Sequence, residues 1–136
     1  MKQKSFRFCM LVGAVALLSV AIYYLTTYLF TVRVALNNND LEPFVDHSVR
    51  ALWLSFACQA LLIGLLYLLV AFRPHTVSRE VIVLLGLGQL VEVTLLLMLA
   101  GSKIAASLLA IASVFLLIGA VLWPKKLVKM PNGSTM

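Results

Sequence analysis

Four stretches of this chain are each long and apolar enough to cross a lipid bilayer, and that limits its folds more than any other feature. A hydrocarbon core about 30 Å thick needs roughly 20 apolar residues in a helix. Residues 8–32 meet this length, interrupted only by Gly13, Ser19, Thr26, Thr27 and Thr31, and so do 51–72, 81–100 and 104–123. Membrane β-strands would instead alternate strictly over about 10 residues, and no such alternation occurs. With 62% hydrophobic and 12% charged residues, the chain carries more apolar surface than a globule of this size can hide, so lipid must be part of its solvent. The expected fold is all-α: a four-transmembrane-helix antiparallel bundle over residues 8–130, after a cytoplasmic N-terminus (1–7) and before a disordered tail (131–136).

Lys and Arg at the span ends set orientation. Lys2, Lys4, Arg7, Arg73, Arg79, Lys125, Lys126 and Lys129 fall on one side, against Arg33, Arg50 and Lys103 on the other. The first side should be cytoplasmic, which places both termini there. The net charge of +6 therefore reads as a topology signal rather than as a nucleic-acid surface. A signal peptide has an apolar core of about 7–15 residues. The first run continues for 25 and reads as an uncleaved helix. Trp53 and Trp123 fall near opposite interfaces, where indoles favour the headgroup level.

The connections carry their own signals. The segment from Asn37 to His47 is the one substantial loop, its Asn run suiting a helix C-terminus. Glu42-Pro43 can open a short helical turn there, and Asp46 and Arg50 are spaced to pair across one turn of the next helix. Arg73-Pro74 ends the second span, with Thr76 or Ser78 available to cap the third. Gly101-Ser102 is short enough to force a tight hairpin. Since lipid is as apolar as leucine, the helices must associate through close packing and polar contacts. Ser102, Ala106, Ala110 and Ser113 offer a small-residue stripe on the fourth span, and Gly86 and Gly88 a low-relief surface on the third.

Glu92 needs a reason. An acidic residue inside a span costs about 2.5–3.5 kcal/mol to insert and should face the bundle interior. At 1.5 Å per residue, Glu92 lies roughly 12 Å below the outer end at Ala100. The same depth falls on Tyr24 in the first span, Gln59 in the second and Ser113 in the fourth, with Gln89 one turn further in beside Glu92. These five residues form the expected intramembrane polar cluster, and Arg33 and Arg50 are the cations that could reach towards it. Such a cluster can fix packing alone, or a carboxyl group in apolar surroundings can exchange protons.

No catalytic, cofactor or metal motif is apparent. Cys9 and Cys58 lie in apolar runs without a CxxC or a Cys/His cluster, and read as small hydrophobes. His47, Asp46 and Asp40 share a loop without ligand spacing, and His75 reads as a solvated loop residue. Three functions remain open. The first is a non-catalytic accessory or assembly subunit of a bacterial inner (cytoplasmic) membrane complex, partnered by another membrane protein or by itself as well as by lipid. The second is a small proton-coupled transporter using Glu92. The third is a lipid-directed enzyme drawing on Asp40, Glu42, Asp46 and His47.

Overall fold

A computed structural model describes residues 2–39, 42–100 and 103–123, and four of its helical rods are long and apolar enough to cross a membrane. Helix α1 (Lys2–Thr27) passes through a π-helical turn (Tyr28–Val32) into α2 (Arg33–Asn37), making one rod. Helix α3 (Pro43–Phe72) ends in a 3-10 turn (Pro74–Thr76); α4 (Arg79–Leu95) continues through a second π-helical turn (Leu96–Ala100), and α5 (Lys103–Val121) follows. The rods differ in length. The first takes 35 residues from Gln3 to Asn37 and α3 takes 30, whereas α5 takes 19. Asp40, Gly101, Ser102, the cations after Trp123 and the tail at 131–136 lie outside the described residues.

The first two rods overrun the expected bounds at the loop between them: the first continues past Val32 to Asn37, and the second begins at Pro43 rather than Ala51. Local chemistry accounts for the earlier start. Glu42 is extended (ψ 134°) and Pro43 occupies the first turn, where its fixed φ suits a helix and its missing N–H costs nothing. Asp46 in that turn meets the positive end of the helix. The Glu42-Pro43 pair therefore opens α3 itself instead of a separate interfacial turn. The Arg50 Nε donates to both Asp46 carboxylate oxygens (3.0 and 2.9 Å), and its Nη2 donates to Asn37 Oδ1 at 2.9 Å. One guanidinium thus ties the start of α3 to the end of α2. At the opposite connection Ser78 is the cap, its Oγ accepting from the Val81 N–H at 3.5 Å. The Thr76 hydroxyl donates to the Arg73 carbonyl instead.

Laterally, α1 is central. It packs along α3 on one side and α5 on the other, α4 packs along α5, and the backbones of α3 and α4 scarcely approach each other. Small residues permit the close contacts. A Cβ at Gly13 would meet the Leu116 side chain at 3.3 Å and the Ala112 carbonyl at 3.5 Å, and one at Gly64 would meet Leu17 and Leu18 at 3.2–3.3 Å. On α5 the buried residues are Ala105, Ala106, Leu109, Ala112, Ser113, Leu116, Gly119 and Ala120. Their three-and-four spacing is the seam of a left-handed helix packing. The expected stripe is thereby corrected: Ser102 is outside the described residues, and Ala110 sits at the edge of the seam, only half-buried. The end of α1 is fixed to the end of α5 by an edge-to-face contact of Phe6 with Trp123, ring centroids 5.3 Å apart.

Candidate functional site in the open flank between α3 and α4

Because α3 and α4 are held apart by α1 and α5, their facing sides leave a lateral groove. It comprises two adjoining hollows. One, of about 360 Å³, is lined by Tyr24, Leu52, Trp53, Phe56, Glu92, Leu95 and Leu96. The other, of about 290 Å³, includes Gln59, Ile63, Leu84, Gly88 and Gln89, and shares Phe56, Glu92 and Leu95 with the first. Glu92 therefore stands where the two meet.

The periodicity of α4 explains this placement. Ile82, Gly86 and Gln89 are its buried residues, recurring at the i, i+4, i+7 spacing of one helix face. That face meets α5: a Cβ on Gly86 would touch Leu117 at 3.1 Å, and the Gly86 carbonyl accepts from the Ser113 hydroxyl at 2.8 Å. Two residues along a helix is a rotation of about 200°, so Gly88 turns away into the groove, where a Cβ would meet nothing within 4 Å. Glu92 follows one turn later on nearly the same side. Of the two glycines read as a packing surface, Gly86 packs and Gly88 leaves space.

The groove floor is aromatic. Tyr24 of α1 is almost fully buried, with Trp53 edge-on at 5.6 Å and Phe56 stacked at 5.9 Å. Trp53 thus packs on α1 from within α3.

Depth brought Tyr24, Gln59, Gln89 and Glu92 to the same groove, but not into one hydrogen-bonded cluster. Among the described residues no hydrogen bond reaches the Glu92 carboxylate, and the Tyr24 hydroxyl and both amide atoms of Gln89 are buried without a partner. Gln59 is exposed at the groove rim. Ser113 is spent on the Gly86 carbonyl. Of the two cations, Arg50 is engaged by Asp46 and Asn37, and Arg33 is exposed. The one ion pair among the described residues is Asp46–Arg50. Hydroxyls elsewhere are treated differently. Ser19, Thr26, Thr94 and Ser107 donate to carbonyls of their own helices, the usual local solution for such side chains. The unpartnered polar atoms are concentrated around Glu92, apart from the Tyr67 hydroxyl nearer the other end of α3.

A third hollow, of about 350 Å³ between α1 and α3, is lined by apolar side chains and Cys58 and offers no chemistry. In the first loop His47 Nδ1 lies 2.6 Å from the Pro43 carbonyl and Asp46 is held by Arg50. Among the described residues no three His, Cys, Asp or Glu side chains converge. Comparison of the chain with protein-family models, with curated proteins and with solved structures gave no match.

Proposed function

We propose that this chain is a non-catalytic accessory or assembly subunit of a membrane complex. In this reading it is a multi-pass protein of a bacterial cytoplasmic (inner) membrane, both termini are cytoplasmic, and its spans run alternately up and down. The charge asymmetry of the span ends supports that orientation. The observation that carries the proposal is the open flank: among the described residues α4 packs chiefly along α5, and the side it turns to α3 presents Glu92 without a partner, next to the buried and unpartnered Gln89 amide. Membrane polar groups are costly unless satisfied, and a companion protein packed on this flank would satisfy them. Purified in mild detergent, the protein should run with a second protein or with further copies of itself. A strictly monomeric particle with nothing bound would overturn the reading.

One observation favours a second reading, a small proton-coupled transporter: Glu92 lines both hollows and is the acidic group of the groove. There the carboxyl would take up and release the coupling proton. Reconstituted vesicles driven by a pH gradient test it, since Glu92→Gln should abolish coupled flux and full retention would sink the idea.

A further inference from the structure

We propose that the occupant of the α3/α4 groove is a transmembrane helix of the partner bearing a basic side chain, Lys or Arg, at the depth of Glu92. This rests on the assembly reading and names the chemistry of its contact. Three observations converge on it. The first is charge: Glu92 is a membrane carboxyl group, and among the described residues the chain pairs no cation with it. The second is Gln89, 97% buried by its 3% exposure, whose amide oxygen and nitrogen both lack partners in the hollow they share with Glu92. A basic side chain brings several N–H donors and no acceptor, which matches the Glu92 carboxylate, while the adjoining Gln89 amide adds polarity to the wall behind it. The third is clearance. Gly88 lies one turn from Glu92 with nothing within 4 Å of its Cβ position, and small residues are what let membrane helices approach closely.

Length and depth select a helix over a lipid or a small cation. The groove follows α4 from Leu84 to Leu96, about 18 Å or three helical turns. Glu92 lies roughly 12 Å inside the end of that rod, beyond the interfacial level at which a lipid ammonium resides. A charge pair formed in this setting leaves an uncompensated ion if either member is removed, which is why its loss is costly.

The test uses the full chain, fluorescently labelled and reconstituted in phosphatidylcholine vesicles, with synthetic Leu/Ala helices of about 24 residues. These carry an acceptor dye and either Lys or Leu at their centre. Energy transfer against peptide density should show the Lys helix associating about tenfold more tightly than the Leu helix. Glu92→Gln should erase that preference, and Gly88→Leu, placed in open space, should weaken binding of both helices while leaving the fold intact. Equal association of the two helices, or a Lys preference that survives Glu92→Gln, would overturn the proposal. So would complete displacement of the Lys helix by dodecylamine, which would assign the groove to a free amphiphile. If the Lys helix fails while the protein still purifies in a complex, the assembly reading stands without this contact.

Discussion

Gly13→Leu should destabilise the bundle by about 3 kcal/mol, the upper end of the cost of forcing volume into a packed core. The position lies on the central helix against α5, where the first added carbon already meets Leu116 at 3.3 Å and the backbone carbonyl of Ala112 at 3.5 Å. A side chain can rotate aside, but a carbonyl in a helix cannot, so α1 and α5 would have to separate. Since α1 also carries α3, the damage spreads to three rods. Thermal unfolding in detergent, followed by tryptophan fluorescence, reads the effect. Gly88→Leu is the matched control, expected to leave the midpoint nearly unchanged, and equal midpoints for both variants would contradict the packing described.

Tyr24→Ala should cost about 3–5 kcal/mol, the range for deleting a buried aromatic side chain. Its ring supports both Trp53 and Phe56, so its removal empties the groove floor and loosens α3 on α1. Tyr24→Phe should behave in the opposite way. The hydroxyl is buried without a partner, and removing an unsatisfied polar group is neutral or stabilising, by about 1 kcal/mol. The same unfolding assay separates the two. A Phe variant that lost more than about 1 kcal/mol would show that the hydroxyl is bonded in the membrane-embedded protein.

The four spans were legible because bilayer thickness fixes a length that few other sequences satisfy. The Asp46–Arg50 pair, the Ser78 cap and the break at Arg73-Pro74 were legible because each depends on neighbours in the chain. Lateral order was not. In a soluble bundle, polarity marks the outward face. Here lipid and core are equally apolar, so Leu17, which is buried, and Leu62, which faces outward, look alike in the sequence. The available signal was the distribution of small residues: Gly13, Ala14, Ala16 and Ala21 lie on several sides of α1, as befits a helix with two neighbours. Depth arithmetic brought Tyr24, Gln59, Gln89 and Glu92 to one groove, but depth says nothing about rotation. Ser113 therefore met a carbonyl of α4 rather than the carboxylate. Arg50 stays away from Glu92 because a long cation takes the nearest anion, and Asp46 is one turn away.

The unequal rods have a consequence for how the molecule sits in a membrane. At 1.5 Å per residue the 35-residue rod is about 52 Å long and the 19-residue α5 about 28 Å. Leaning the long rod enough to hide it in a 30 Å layer would take a tilt of roughly 55°, beyond the 0–40° range of membrane helices. With Phe6 and Trp123 holding one end level, the surplus must emerge at the other, as a turret beside a low shelf formed by the shorter pair. Phe30 and Phe44, 78% and 76% exposed, lie on that turret, so the taller end of the molecule carries bare aromatic rings.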